Sequence, residues 1–276
     1  MQLKEIEKKI ITYRSILEIV NAMKAFAGVN YRKCEEKIHS LRAFEESLYK
    51  GLGILLKFFP ELKMPESDKT SRLIIVFGSD QGLCGAYNYR IAEELSPQIR
   101  KEDQLFVIGK KLLETLGDFS LKPRLALRSS VSVEGIRESL EEIFEQILAF
   151  LKRSGPTDIY LCFTAITEKQ SFIHFERILP INIKKIKDIP PLSSPPLIYL
   201  KPQILLNKFL EEIIFIGLYR AYLESLRSEA YYRIKSMENA STNIERKITE
   251  LQIAKHYQRQ EEITSEIIEI LIGSKI

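Results

Sequence analysis

The sequence predicts an α/β plus coiled-coil fold, with long antiparallel N- and C-terminal helices flanking a small α/β domain, and three observations predict it. An apolar heptad runs from residue 3 to residue 55, a second apolar stripe runs from residue 205 to residue 251, and between them short buried-strand patterns alternate with helical ones. The implied division is a coiled-coil helix over 1–60, an α/β domain over 70–180, a proline-rich connection over 181–202 and a second coiled-coil helix over 203–276.

In the first segment the a positions are Leu3, Ile10, Leu17, Lys24, Tyr31, Ile38, Glu45 and Leu52, and the d positions are Ile6, Tyr13, Val20, Ala27, Cys34, Leu41, Leu48 and Leu55. Only Lys24 and Glu45 interrupt the stripe. The first proline is Pro60, which permits one helix of roughly 57 residues, about 85 Å at the usual rise. After Pro202 there is again no proline, and the stripe runs through Leu205, Phe209, Ile216, Tyr219, Leu223, Leu226 and Ala230. It continues, shifted by one residue, through Ile234, Met237, Ser241, Ile244, Ile248 and Leu251. With a domain between them, two such helices bury their stripes most simply as an antiparallel pair.

Beyond Leu251 the seam positions turn polar, at Lys255, Gln258, Glu262 and Ser265, while apolar residues return on a rotated stripe at Ile263, Ile267 and Ile270. This predicts a lone-helix tip about a dozen residues, or roughly 18 Å, longer than its partner. Its apolar end, ILIGSKI, calls for a foreign surface.

Between the helices, residues 72–78 (RLIIVFG), 104–109 (QLFVIG) and 157–166 (TDIYLCFTAI) read as buried strands, and 87–99 and 133–153 as helices. The alternation predicts a Rossmann-like domain with a largely parallel sheet. The segment from Pro180 to Pro202 contains two Pro-Pro pairs and reads as extended.

Composition bounds the function. The 276 residues are 45% hydrophobic and 28% charged, with a formal net charge of +4, an ordinary globular balance without the basicity that would argue for nucleic acid. Cys34, Cys84 and Cys162 lie far apart with no C-x-x-C spacing, which suits a reducing compartment and neither a disulfide framework nor a thiolate metal site. The start, MQLKEIEKKI, reads as native helix and not as a signal or transit peptide. The longest apolar run, residues 213–219, falls far below the ~20 needed to span a bilayer. The expectation is no direct membrane insertion, with any membrane association made through partners.

The glycine-rich turn GSDQGLCGAYN (78–88) follows a strand and leads into a helix, the setting of a phosphate cradle. It lacks the lysine and hydroxyl of G-x-x-x-x-G-K-[ST] and does not fit G-x-G-x-x-G, so a tight structural turn is the better reading. A nucleophile elbow at Cys84 fails because position 86 is alanine. His39, His174 and His256 are scattered, and the acidic residues lie on polar helix faces. No catalytic, metal or cofactor constellation emerges. Lys24 in the seam either fixes register, marks a contact from outside, or snorkels out of the seam. Arg259 and Gln260 sit where the seam has ended, which favours a partner contact.

Taken together, three segments resemble the γ subunit of F-type ATP synthases over essentially the whole chain. NAMKAFA (21–27) is similar to that family's A-M-K segment. SDQGLCGAYN (79–88) is similar to S-D-x-G-L-C-G-x-x-N, with signature residues Asp80, Gly82, Gly85 and Asn88. SEAYYRIKSMENASTN (228–243) and RQEEITSEIIEI (259–270) are similar to E-x-x-x-R-x-x-x-M-x-x-A-T-x-N and R-Q-x-x-I-T-x-E-[IL]-x-E-I. Glu18 and Val20 stand where Lys and Thr are common, Ser241 where Thr is usual and His256 where Asn is usual. With MKAFAGVNYRKCEE, these departures resemble the alternative, sodium-type bacterial F-ATPases more than the housekeeping form.

The resemblance implies a non-catalytic central-stalk rotor inside a ring of α and β subunits in a 3:3:1 complex, with the ε subunit and the membrane c-ring as further partners. It implies a peripheral location on the cytoplasmic face of the bacterial inner membrane. It places Met23 and Lys24 opposite the acidic lever loop of β and Arg259 and Gln260 against a higher β loop. Ile263, Ile267, Ile270 and Leu271 would form an apolar bearing. The alternative is a non-rotary coiled-coil tether or chaperone with an α/β head, which explains the heptads but not the three signatures.

Overall fold

The computed structural model describes residues 3–64, 72–155, 157–167, 170–181 and 194–273, the side chains of 271–273 excepted. Helix α1 spans Leu3–Phe58 and α5 spans Pro202–Gly273. Every a and d position named for α1 is buried or half-buried, so the heptad describes the whole helix, which ends just ahead of Pro60 as proline sterics require.

Between them lie β1 (Arg72–Phe77), α2 (Tyr87–Leu95), β2 (Gln104–Ile108), α3 (Lys110–Asp118), β3 (Leu125–Leu127), α4 (Ile136–Ser154), β4 (Asp158–Thr167) and β5 (Gln170–Leu179). The sheet order is β3-β2-β1-β4-β5, parallel throughout except for the antiparallel edge strand β5. The helix expected over 87–99 stops at Leu95 and gives way to a short 3₁₀ turn over Ser96–Gln98, because Pro97 has no N–H with which to continue the i→i−4 ladder, and the backbone is extended at Ile99. The predicted proline-rich connection falls largely in 182–193, outside the described residues.

The chain divides into two compact units, residues 1–28 with 233–276, and residues 29–232. In the larger unit, alternate sheet residues face opposite layers. Leu73, Ile75, Phe77, Ile159, Leu161 and Phe163 pack with α4 and with the adjoining parts of α1 and α5. Ile74, Val76, Leu105, Val107 and Cys162 pack with α2 and α3. Within this unit α5 is not the one-striped helix of the sequence reading: residues 221–230 are buried on every side, as for a helix that runs through a core.

In the smaller unit, α1 and α5 pair antiparallel. Ile6 and Ile10 meet Leu251, with Tyr13 packed against them, and Lys24 pairs with Glu238 and Glu7 with Lys255. From Arg259 to Ile270 every residue of α5 is exposed. Pairing therefore runs one turn past Leu251, to Lys255, before the lone helix begins.

Candidate functional site

The glycine-rich turn is built by hydrogen bonds that its own sequence does not reveal. Ser79 and Asn88 bind reciprocally: the Ser79 amide donates to Asn88 Oδ1 at 3.0 Å and Asn88 Nδ2 donates to Ser79 Oγ at 2.8 Å. The turn between them passes through the left-handed region at Leu83 (φ 65°) and Gly85 (φ 57°), which glycine enters freely and leucine only under strain. Cys84 Sγ lies 3.5 Å from Ser79 Oγ and points inward. Gly78 has no room for a side chain, since a Cβ there would sit 2.4 Å from Leu112 Cβ.

Asp80 ties this turn to two others. Its Oδ1 accepts from the Lys110 amide at 3.1 Å and from the Ser129 amide at 3.4 Å. A carboxylate thus sits at the N-terminus of α3, where the helix dipole favours it, and joins the carboxyl ends of β1, β2 and β3. Of the four signature residues, Asp80, Gly85 and Asn88 have structural work within the chain. At Gly82 a Cβ would meet open space and φ is ordinary, so neither room nor backbone conformation calls for glycine there among the described residues.

The residues singled out on the long helices occupy two stations of the smaller unit. Met23 and Lys24 are half-buried on α1, with Lys24 Nζ 2.9 Å from Glu238 Oε1. Arg259, Gln260, Ile263, Ile267 and Ile270 are exposed on the lone part of α5, which begins about 30 Å along the helix from Glu238. The side chain of Leu271 lies outside the described residues. The boundary between stations is the pair Glu7–Lys255 at 2.7 Å, where the lysine holds the Glu7 carboxyl below its usual range by hydrogen bond and charge.

Among the described residues, no group of three His, Cys, Asp or Glu side chains is placed to hold a metal, and no helix is long and apolar enough to cross a membrane. Burial pushes the thiols of Cys34 and Cys162 up to about 12, far from the range of a nucleophile. What the arrangement offers is surface: an exposed apolar helix end with a polar collar, and a rigid sheet whose rim is stitched by Asp80 and Asn88.

A family model described as "ATP synthase" matches residues 2–275. The ATP synthase gamma chain of Mycoplasma mobile is 29% identical over 99% of this chain and 98% of its own length. The chain belongs to the ATP synthase gamma-chain family. Its fold agrees with gamma-type stalks of known structure. A chain of the Euglena gracilis mitochondrial ATP synthase superposes with TM-score 0.68 at 15% identity, covering 99% of this chain and 93% of that one. A central-stalk chain of the Tetrahymena thermophila mitochondrial ATP synthase gives TM-score 0.60 at 20% identity, over 81% and 99%. At such identities the likeness is one of fold.

The sequence reading missed a set of polar side chains on the buried part of α5, Tyr222, Ser225, Arg227 and Ser228, and their partner Tyr87. The signal was present: serines and charges interrupt every face of 221–230, a pattern that neither an apolar stripe nor a solvated helix explains.

Proposed function

We propose that this gamma-family chain is the central-stalk rotor of an F-type ATP synthase, carrying torque between an ion-driven membrane ring and the catalytic sites of an α3β3 ring, and catalysing nothing itself. The observation that carries the reading is the lone helix over 259–270, fully exposed, with Arg259 and Gln260 as a polar collar below Ile263, Ile267 and Ile270. An axle end must centre within a ring yet slip against it. Apolar, non-directional contact permits this, whereas a ring of directional bonds would hold the shaft at one angle.

In this reading the collar meets one β loop, and Met23 with Lys24 meets the acidic lever of β. Leu271 joins the three isoleucines in the bearing. Because one asymmetric shaft presents a different face to each of three like β subunits, each prefers a different conformation, and rotation cycles their affinity for nucleotide. The α/β domain holds ε and the c-ring. The chain is part of a membrane-associated complex without a membrane-crossing helix among its described residues, and we place it on the cytoplasmic face of the bacterial inner membrane. The departures at Glu18, Val20, Ser241 and His256 support a sodium-type complex.

Co-expression with α and β subunits tests the proposal: a 3:3:1 complex with ATPase activity and ATP-driven rotation is expected. Recovery of an isolated chain that binds neither subunit would overturn it.

A further inference from the structure

Three polar residues in the buried part of α5, Ser225, Arg227 and Ser228, bond to the same edge of the sheet. In the order β3-β2-β1-β4 the chain runs outward from β1 to β2 and β3 on one side while β4 lies on the other, so the strand order reverses between β1 and β4. In open α/β sheets the crevice outside the carboxyl ends of the strands at that reversal is where ligands bind. Here α5 fills it. Ser225 Oγ donates to the carbonyl of Phe77, the last residue of β1, at 3.2 Å. Ser228 Oγ donates to Thr164 O at 2.8 Å and Arg227 Nη2 to Ile166 O at 2.7 Å. Both carbonyls lie on β4 beyond its last register pair with β1, Val76 with Cys162.

Two tyrosines complete the set. The Tyr87 hydroxyl, at the start of α2, lies 2.6 Å from Ser225 Oγ and donates to Ser225 O at 3.0 Å, so it is held against the same serine that binds Phe77 O. The Tyr222 hydroxyl accepts from the Ser130 amide and from Ser129 Oγ just after β3. On the other side of α5, Glu224 bridges Arg227 at 2.7 Å and Arg42 of α1 at 2.9 Å, which joins the second helix to the same cluster.

We propose that Tyr87, Ser225, Arg227 and Ser228 are positioning residues that lock the shaft helix against rotation about its own axis within the sheet, so that torque passes between α/β domain and shaft without slip. The proposal rests on the rotor reading. Apolar packing around 221–230 resists separation but is non-directional. The hydrogen bonds leave the helix at azimuths set by residues 225, 227 and 228, successive residues being about 100° apart. A turn of about 20° moves an atom 5–6 Å from the axis by about 2 Å, enough to break any of them. A core helix meant only for stability does as well with apolar residues. Orientation is what the polar set adds.

The test uses the assembled α3β3 complex with this chain, carrying a rotation probe on Arg137→Cys, a position whose side chain is 88% exposed. The angular variance of the probe during ATP-waiting dwells reads torsional stiffness. The variant Tyr87→Phe, Ser225→Ala, Ser228→Ala is expected to at least double the variance, with unloaded ATP hydrolysis unchanged. Ile91→Val in α2, which trims the core and touches none of these bonds, is the packing control and is expected to leave the variance at the wild-type value. If the triple variant does not assemble, Ser228→Ala alone is read in the same way, with a smaller rise expected. Wild-type variance in the variant that assembles, or an equal rise in Ile91→Val, overturns the lock while leaving the rotor reading intact. A wild-type complex that hydrolyses ATP without turning the probe overturns the rotor reading and the lock with it.

Discussion

Lys24 and Glu238 face each other across the helix pair with Nζ 2.9 Å from Oε1. The charge in the seam is therefore answered within the chain. The Lys24 stem leaves the a position sideways, its side chain 38% exposed, to reach a carboxylate on the flank of α5, as a snorkelling lysine does. The pair is open to solvent, so its coupling in a double-mutant cycle of Lys24→Ala and Glu238→Ala, read by urea unfolding, is expected at about 0.5 kcal/mol or below. It should vanish in about 1 M salt. A Lys24→Ala chain that keeps its stability but slows rotation in the assembled complex assigns the residue's remaining role to β. Equal, small losses in both would confine it to the seam.

Arg72 and Asp103 form a different kind of pair. Nε and Nη2 bind Oδ1 and Oδ2 at 2.9 and 2.5 Å, and the Asp103 side chain is 1% exposed. Burial alone would raise the carboxyl, but the hydrogen bonds from Arg72 and from the Arg100 amide outweigh it and hold the group below its ordinary 3.8. With the folded value below the unfolded one, the unfolded chain binds the proton first. The stabilisation is therefore full above about pH 5 and is lost as pH falls through the folded value. Asp103→Asn leaves a buried guanidinium without its counter-charge and is expected to cost about 3 kcal/mol at pH 7. It should also flatten the acid limb of stability below about pH 5. Urea unfolding across that range checks both, and an unchanged acid slope would count against the assignment.

Three neighbouring positions of the signature turn should respond in three different ways. Gly78→Ala forces a Cβ to 2.4 Å from Leu112 Cβ and is expected to cost about 2 kcal/mol. Gly82→Ala meets open space and should stay within about 0.5 kcal/mol of the parent. Leu83 is exposed at φ 65°, so Leu83→Asn relieves a left-handed leucine and should gain up to about 1 kcal/mol. Thermal unfolding of the three variants orders them, and a destabilised Gly82→Ala would contradict the geometry of the turn.

What the sequence revealed depended on how each residue reports its surroundings. α1 was legible because its a and d positions lie on a single buried or half-buried face, while most other positions are exposed, Asn30, Tyr49 and Gly53 being buried exceptions. α5 was legible only where it has one partner; over 221–230 burial from all sides leaves no period to detect. β3 has three residues, too few for a pattern. α3 was missed because KKLLETLGD follows a strand too closely for a loop signal to separate them. β5 went unread as a strand, since its residues alternate only between exposed and half-buried, with one buried. Asp80 and Asn88 were picked out by resemblance alone. The work of Asp80 is done with Lys110 and Ser129, 30 and 49 residues away, a distance that no local motif encodes.

The lone helix gives the sharpest separation of stability from function. Residues 259–270 are exposed along their length, so removing 259–276 deletes no described contact in the core and should leave the unfolding free energy of the isolated chain within about 0.5 kcal/mol. In the assembled complex the same end is expected to matter. Ile263, Ile267 and Ile270 are each about half or more exposed, and covering each in a bearing is worth about 1 kcal/mol. Replacing all three with serine should therefore weaken retention of the chain by about 3 kcal/mol, roughly a hundredfold in dissociation constant. Thermal unfolding of the free chain and dissociation of the labelled complex, measured side by side, decide it. A variant that unfolds earlier but dissociates no faster would mean that these isoleucines serve the fold and not a partner.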